Sequence, residues 1–275
     1  RSVELKKRGK EFVGLSPFKN EKTPSFTVND EKGFYHCFST GEHGNIFDFL
    51  MKTQNLKFGE AVKTLSNLAG MQPYTFSKAD EERENKRKIY LEIYLKYINY
   101  FHDFLISNNQ KSNHVMDYLK KRNISFDLAK NFKIGYADQS VNIFKDLNKI
   151  FSEKSIIETG IFYFDEKKKI YVDRFRGRII FPINDISGNP IAIGGRSIVD
   201  NSFYAKYINS PETLFFKKGS LLYNLDKARK FSNKKDQIFL VEGYMDVIGL
   251  CKVGVENVVA NLGTALTDKQ ILTLN

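Results

Sequence analysis

Two carboxylates lie close together near the carboxyl end of the chain, directly after a short apolar run at 238–241. Glu242 follows that run, and Gly243 comes next, so another group can approach the backbone closely. Ligands of open α/β sheets bind at the carboxyl ends of strands, and Asp246 would point the same way from the first helical turn. Carboxylates suit a hard cation such as Mg²⁺. The alternative interpretation of such an acid is a partner for the positive end of a helix.

Basic side chains form a second group upstream of these acids. Arg174, Arg176 and Arg178 alternate along the chain, so in an extended segment all three would face one side. Aligned guanidinium groups repel one another unless an anion lies against them, and phosphate matches their forked hydrogen bonds. We favour anion binding. The alternative is an exposed ladder paired with nearby acids, namely Asp165, Glu166 or Asp173.

The composition agrees with an anionic partner. The 275 residues carry a net charge of +11, which suits polyanions but is also compatible with a solvated, lysine-rich surface. Further cations follow in stretches rich in Gly, Ser and Pro, namely Arg196, Lys206 and Lys218. The pattern G-x-x-x-x-G-K-[ST] is absent from the sequence, which argues against a P-loop motor.

Cysteine usage and hydropathy indicate the compartment. Cys37 and Cys251 lie far apart in the sequence, so we expect no disulfide framework and a reducing, cytoplasmic interior. No stretch approaches the roughly 18 consecutive apolar residues of a membrane span. The first residues lack an initiator Met and a signal-peptide core, and Thr267 and Asp268 open a helix that the sequence leaves unfinished. We therefore expect a fragment of a longer protein.

The amino-terminal region offers weak evidence for a metal site. Cys37 has His36 and His43 close by, but a structural zinc site needs four ligands, normally as two close pairs. Ser16 and Lys19 occupy the turn where an upstream pair would lie, and a lysine would repel a cation. The residue types alone therefore argue against zinc.

The first seventy residues are predicted to form a small α+β module. Two β-rich runs at 25–28 and 34–38 flank a turn that contains Gly33, which predicts a hairpin. Apolar residues then recur at helical spacing over 45–52 and 58–69.

The remainder changes from helices to strands. Helical periodicity covers 86–105 and about 113–122, and Ser125 can cap a further helix. Strands are predicted at 178–183 and 190–194.

The last section has the pattern of a βαβ unit. The run at 238–241 is continuously apolar, as expected of a strand buried on both faces. A helix of about eight residues, then Gly254, then a second apolar run at 255–260 predict a parallel pair of strands.

Several strings of the second half resemble bacterial primases of the DnaG type. VEGYMDV at 241–247 is similar to the first acidic motif of their Toprim fold, and ANLGT at 260–264 to the second Toprim strand and its turn. RFRGRIIFPI at 174–183 resembles their basic strand, while GGR at 194–196 and KYINSPET at 206–213 follow in the family's order.

The amino-terminal strings resemble the zinc-ribbon domain of the same family. PF at 17–18, EKTPSFTV at 21–28 and YHCF at 35–38 carry this likeness. The resemblance covers nearly the whole chain and is weakest at 75–115. It is specific, because independent strings occur in one order.

The resemblance implies a template-directed RNA polymerase that makes short primers on single-stranded DNA from ribonucleoside triphosphates. Glu242 would be its Mg²⁺-associated or general acid/base carboxylate, with Asp246 beside it, and Mn²⁺ could replace Mg²⁺. The template groove would be lined by Arg174, Arg176 and Arg178. Nucleotide phosphates would be held by Arg196, Lys206, Tyr207 and Lys218. The family also implies a monomer that meets the replicative helicase of the primosome through a carboxyl-terminal region absent from this sequence.

Two departures from the family pattern stand out. The family's zinc ligands fall at Ser16, Lys19, Cys37 and Thr40, so three of the four are lost. We expect a ribbon without zinc that folds on the packing of Phe18, Phe26, Tyr35 and Phe38. The Asp-x-Asp motif that supplies further metal carboxylates is not in the sequence, so this chain alone should bind DNA and nucleotides weakly and polymerise nothing.

The implied fold is α+β followed by α/β. We expect a degenerate CHC2-type ribbon at 1–72, a linker at 73–85, the amino-terminal part of the primase core at 86–235 and the start of a Toprim domain at 236–275. Two other functions remain open. The chain could be an inactive binder of single-stranded DNA and nucleotides, or another Toprim enzyme such as a topoisomerase, which would need a nucleophilic tyrosine in a separate domain.

Overall fold

The computed structural model describes residues 3–31, 33–71, 77–107, 110–199, 205–232, 237–263 and 265–274. Contacts within the chain divide it into two compact units, residues 1–82 and 83–275. Within the described ranges, no helix has both the length and the apolar character needed to cross a membrane.

The first unit is a meander of strands followed by two helices. Its elements are, in chain order, β1 (Leu5–Arg8), β2 (Glu11–Gly14), β3 (Phe26–Asn29), β4 (Phe34–Cys37), β5 (His43–Asn45), α1 (Ile46–Gln54) and α2 (Phe58–Leu68). Each strand pairs antiparallel with the next one. The predicted hairpin is confirmed as β3–β4, and both predicted helices are present.

Aromatic rings form the core of this unit. Phe26 and Tyr35 are almost completely buried, and the ring of Phe18 lies 6.1 Å from that of Phe26. The prediction that Phe38 joins them is wrong, because Phe38 is 71% exposed. Side chains alternate along an extended strand, so a ring three residues after Tyr35 points away from the core. Phe49 of α1 takes the fourth place, 5.7 Å from Phe26.

The remaining elements continue the chain order. They are α3 (Lys78–Ile106), α4 (Asn113–Lys121), α5 (Phe126–Asn131), β6 (Gly135–Ala137), α6 (Ile143–Leu147), α7 (Glu153–Glu158), β7 (Phe162–Asp165), β8 (Ile170–Asp173), β9 (Arg178–Asn184), β10 (Pro190–Ser197), β11 (Tyr207–Asn209), α8 (Leu225–Ser232), β12 (Phe239–Val241), α9 (Tyr244–Lys252), β13 (Val258–Ala260) and α10 (Asp268–Leu274). The predicted strands of the middle section are confirmed as β9 and β10, which pair antiparallel. Ser125 caps α5 as expected, since its hydroxyl accepts a hydrogen bond from the Leu128 N–H.

Helix α3 begins earlier than the periodicity over 86–105 indicates. The Ser77 hydroxyl accepts a hydrogen bond from the Asp80 N–H, and the Asp80 carboxylate accepts one from the Ser77 N–H. This reciprocal arrangement is a capping box, and it satisfies donors that a helix start leaves unpaired. The charged run after Asp80, predicted from the sequence to be a linker that merges into a helix, therefore lies wholly within α3.

The central sheet of the second unit is a buried middle layer. Its strands run antiparallel in the order β11-β10-β9-β6. Ile179 and Phe181 of β9 lie in one core cluster together with residues of α9 and β13. Ile180 points to the opposite face and shares a second cluster with Tyr97 and Phe101 of α3. Helices thus cover both faces of β9.

The predicted βαβ unit is confirmed, because β12 and β13 pair in parallel around α9. The expectation that β12 is buried on both faces is wrong. Phe239 and Leu240 are 47% and 41% exposed, whereas every residue of β13 is buried. Within the described residues β12 pairs with β13 and with no other strand, so it lies at an edge.

A close approach between Gly194 and Tyr244 connects β10 to the start of α9. A Cβ atom at Gly194 would lie 2.4 Å from the Tyr244 hydroxyl and from the ring carbon that bears it. Tyr244 is buried there against Phe181, with ring centroids 5.0 Å apart. The position therefore requires glycine because of space.

We predict that Gly194→Ala destabilises the chain by about 1–3 kcal/mol, because the methyl group forces Tyr244 out of its site. Urea unfolding followed by circular dichroism measures the loss. Gly249→Ala is the matched control, since a Cβ at Gly249 of α9 meets nothing within 4 Å. It should raise stability by up to about 1 kcal/mol. Equal stabilities of the two variants would contradict the prediction.

Candidate functional site

The two predicted metal carboxylates lie at the junction of β12 and α9. Glu242 follows β12 and is exposed, and Asp246 lies in the first turn of α9. The Asp246 carboxylate accepts a hydrogen bond from the Gly243 N–H at 3.1 Å, so it caps the helix. This agrees with the alternative interpretation of that acid.

The donor set at this junction fits part of a Mg²⁺ site. Mg²⁺ is commonly bound by one or two carboxylates together with waters and substrate phosphates, and Glu242 offers such a carboxylate at an open strand end. Among the described residues, no group of three or more His, Cys, Asp and Glu side chains could hold a metal ion. Glu242 therefore suits Mg²⁺, and a complete site needs further oxygen ligands.

The prediction that Arg174, Arg176 and Arg178 face one side of an extended segment is wrong. Residues 174–177 form a turn between β8 and β9 rather than an extended segment. The Asp173 carboxylate accepts a hydrogen bond from the Phe175 N–H at 2.7 Å, which bends the chain. Gly177 continues the turn with a φ of +71°, a conformation that favours glycine.

The turn separates the three arginines into two groups. The Arg174 guanidinium donates to the Gly160 carbonyl at 3.0 Å, and that of Arg176 donates to the Tyr163 hydroxyl at 2.9 Å. Both guanidinium groups lie within 6 Å of the Tyr163 ring. Arg178 instead reaches the carbonyl oxygen of residue 205 at 2.8 Å. Among the described ion pairs none joins these arginines to an acid, so the paired ladder is not formed either.

Arg196 is buried between two tyrosines. Its side chain donates to the Tyr118 hydroxyl at 2.7 Å, and its guanidinium lies 4.8 Å from the Tyr207 ring centroid. The residue is 4% exposed. Contacts with two aromatic rings and a hydroxyl hold the guanidinium in a fixed orientation.

Strand pairing places four predicted residues at one corner of the sheet, although they do not all share one face. Arg196 pairs with Tyr207 across β10 and β11, so both side chains lie on the face of the sheet that Tyr244 covers. Arg178 pairs with the residue after Arg196, so its side chain lies on the opposite face, beside Gly195. Lys206 is exposed beside Tyr207. We call Arg178, Arg196, Lys206 and Tyr207 the basic corner.

Tyr244 connects Arg196 and Tyr207 of the basic corner to the junction of β12 and α9. Its ring centroid lies 6.3 Å from that of Tyr207, and it follows Glu242 by two residues. Its hydroxyl donates to the Asn209 side-chain oxygen, and the Asn209 amide donates to the Leu262 carbonyl at 2.8 Å. Sequence reasoning missed Asn209 as a positioning residue. The signal was present, because Asn209 lies within the KYINSPET string.

Lys218 lies in a short 3₁₀ turn, and its backbone N–H donates to the Glu212 carboxylate at 3.2 Å. Its carbonyl accepts a hydrogen bond from the buried Gln270 side chain of α10. These contacts fix the Lys218 backbone and leave its side chain half-buried.

The four expected zinc positions do not fit zinc. The Cys37 Sγ and the Ser16 Oγ are hydrogen-bonded at 3.2 Å, and the Lys19 ammonium donates to the Ser39 carbonyl at 3.3 Å. Burial alone would raise the pKa of the Cys37 thiol, but hydrogen bonds from Ser16, Ser39 and Thr40 bring it to about 6. One thiolate beside hydroxyls and an ammonium group cannot close a tetrahedral site.

Family models match along most of the chain. They describe a CHC2 zinc finger at residues 1–82, the amino-terminal domain of the DNA primase catalytic core at 100–229 and a Toprim domain at 236–275. The DNA primase of Lactococcus lactis is 40% identical over 274 residues, which cover 99% of this chain and 42% of that protein.

Solved structures give the same result. The zinc-binding and RNA polymerase domains of the Aquifex aeolicus primase match with a TM-score of 0.57 and 32% identity, over 98% of this chain and 65% of that one. A DnaG primase catalytic domain bound to single-stranded DNA matches with a TM-score of 0.62 and 32% identity, over 70% of this chain and 61% of that one.

The fold and the matches define a class: a primase catalytic core that follows a ribbon module and leads into a Toprim domain. The chain belongs to the DnaG-type family of bacterial DNA primases. It spans less than half the length of the Lactococcus protein.

We predict that Asp173→Asn changes how stability depends on pH. Burial raises the pKa of the Asp173 carboxyl to about 6, although Phe175 and Tyr97 donate hydrogen bonds to it. Its charged form is thus disfavoured in the folded chain. The wild type should lose stability, by at most about 3 kcal/mol, as pH rises from the unfolded pKa near 4 through 6.

Urea unfolding at pH 4.5 and pH 7 tests this change. The variant should lack the loss that the wild type shows between the two pH values. Asp146→Asn is the control, because Asp146 is an exposed acid paired with Lys149. The same pH dependence in the wild type and in Asp173→Asn would refute the prediction.

Proposed function

We propose that this chain is part of a DNA primase that synthesises short RNA primers on single-stranded DNA during replication, by Mg²⁺-dependent nucleotidyl transfer. One observation carries the proposal: Arg196 and Tyr207 of the basic corner lie on the face of the sheet that Tyr244 covers, and Tyr244 follows the exposed carboxylate of Glu242 by two residues. A polymerase centre needs this combination, with cations for the triphosphate next to a carboxylate for the metal.

Glu242 would hold Mg²⁺, with Asp246 close by. When bound, Mg²⁺ or Mn²⁺ would neutralise developing charge on the phosphates during an in-line displacement. Arg196 would bind a phosphate with a guanidinium whose direction is set by Tyr118 and Tyr207. Because the residue is 4% exposed, a covering side chain would have to move for the phosphate to reach it. Lys206 and Lys218 would add charge for the nucleotide, and Tyr207 would pack beside it.

Arg174 and Arg176 would bind the template. Their guanidinium groups lie around Tyr163 on a turn, where a strand backbone can contact both of them. A related primase catalytic domain has been solved with single-stranded DNA bound, which supports this class of partner. Arg178, whose side chain lies on the opposite face of the sheet from Arg196, would extend the template surface that Arg174 and Arg176 begin.

The complete protein would need more than this chain. Further carboxylates must complete the metal site, so we expect the 275-residue chain alone to bind DNA and nucleotides weakly and to polymerise nothing. We propose a cytoplasmic monomer that meets the replicative helicase through a separate carboxyl-terminal region. We further propose the boundaries 1–72 for the ribbon, 73–85 for a linker, 86–235 for the first part of the core and 236–275 for the start of the Toprim domain.

An inactive binder of single-stranded DNA and nucleotides is the second candidate. It is favoured by the finding that the described residues contain no carboxylate cluster able to hold a metal ion. Primer synthesis by the full-length wild-type protein separates the two functions, since a binder makes no primers.

We predict that Glu242→Gln in the full-length protein lowers primer synthesis at least about 100-fold, because a neutral amide cannot replace a metal carboxylate. Gel analysis of labelled primers measures the effect, and fluorescence anisotropy should show unchanged affinity for single-stranded DNA. Glu256→Gln, which changes an exposed acid beyond α9, is the matched control. Full activity of Glu242→Gln would exclude the proposed role.

We predict that Arg176→Gln reduces the salt dependence of single-stranded DNA binding by the 275-residue chain. Loss of one phosphate contact lowers the slope of log K against log salt by about 0.7. Arg83→Gln, an exposed arginine of α3, should leave the slope unchanged. Equal slopes for wild type and Arg176→Gln would place the template elsewhere.

A further inference from the structure

We propose that a network of side-chain hydrogen bonds around Glu21 closes the amino-terminal ribbon in place of zinc. The network consists of Ser16, Glu21, Ser25, Cys37 and Ser39, and we call it the serine network. It makes this ribbon independent of metal, although the domain model that matches residues 1–82 describes a zinc finger.

The network begins at the one remaining thiol. A hydrogen bond of 3.2 Å between the Cys37 Sγ and the Ser16 Oγ joins the turn before β3 to the end of β4. The Ser16 Oγ also accepts the Phe18 N–H at 3.1 Å, and the Ser39 Oγ lies 3.4 Å from Cys37 Sγ. Cys37 is fully buried and Ser16 nearly so, so these bonds satisfy polar atoms that water does not reach freely.

Glu21 provides the charge that a metal site would otherwise contain. One of its carboxylate oxygens accepts the Ser16 N–H at 2.8 Å and the Ser25 N–H at 3.1 Å. The Ser25 hydroxyl lies 2.7 Å from the same oxygen and 2.7 Å from the Ser39 hydroxyl. The carboxylate thus accepts hydrogen bonds from the segment between β2 and β3. Through Ser25 it is connected to Ser39, in the turn that follows β4. Hydrogen bonds to an ionised acceptor are stronger than neutral ones.

Lys19 completes the closure at the surface. Its ammonium group donates to the Ser39 carbonyl at 3.3 Å, so the two turns are joined a second time. Zinc would join the same two turns through ligands at 16, 19, 37 and 40. Hydrogen bonds connect Ser16 directly to Cys37, and Lys19 to Cys37 through Ser39, without a metal. The ammonium group of Lys19 repels a cation.

Metal content and a restored site test the proposal on the whole chain. We expect the wild type, purified from zinc-supplemented medium, to contain less than about 0.1 zinc per chain by mass spectrometry. The variant Ser16→Cys, Lys19→His, Thr40→Cys recreates two cysteines and a histidine around Cys37 and should hold close to one zinc per chain. Chelation should then expose β3 and β4 to hydrogen exchange in the variant and leave exchange in the wild type unchanged.

Glu21→Gln tests the network itself, and its result stands even if the restored variant does not fold. Exchange of the backbone amides of β3 and β4 should speed up at least about tenfold, since charged hydrogen bonds are lost. Glu31→Gln changes an exposed acid in the hairpin turn and is the control. Near-stoichiometric zinc in the wild type, or unchanged exchange in Glu21→Gln, would overturn the proposal.

Discussion

The second unit depends on the packing of one side chain, that of Tyr244. Its ring is stacked on Phe181, meets Tyr223 edge-on at 4.6 Å and fills the space beside Gly194. Because Tyr244 opens α9 two residues after Glu242, this packing decides where Glu242 lies relative to the sheet. A glycine far away in sequence therefore sets the position of the candidate catalytic carboxylate.

Much of the fold follows from patterns that are local in sequence. The two strands β9 and β10 and the βαβ unit were predicted correctly, because apolar periodicity and turn residues determine them. Burial was less predictable. The run at 238–241 is apolar throughout, yet Phe239 is exposed, because burial depends on which neighbours cover a strand and not on its own composition.

The arginine segment shows the limit of counting alternate residues. Alternation places side chains on one face only if the backbone stays extended, and at 174–177 it does not. A carboxylate that bonds to the backbone two residues on bends the chain, and only three-dimensional context reveals that Tyr97 holds this carboxylate in place. The functional grouping changes with it: Arg178 joins the basic corner, while Arg174 and Arg176 gather around Tyr163.

The exposed face of β12 has a consequence for handling the isolated chain. Phe239 and Leu240 stand on a strand with one partner among the described residues, so apolar side chains lie beside backbone groups that can accept another strand. Such an edge can pair with an extended segment of another molecule, including a second copy of the chain. At high concentration the 275-residue chain should therefore self-associate and lose solubility through this edge, even though its net charge of +11 opposes association.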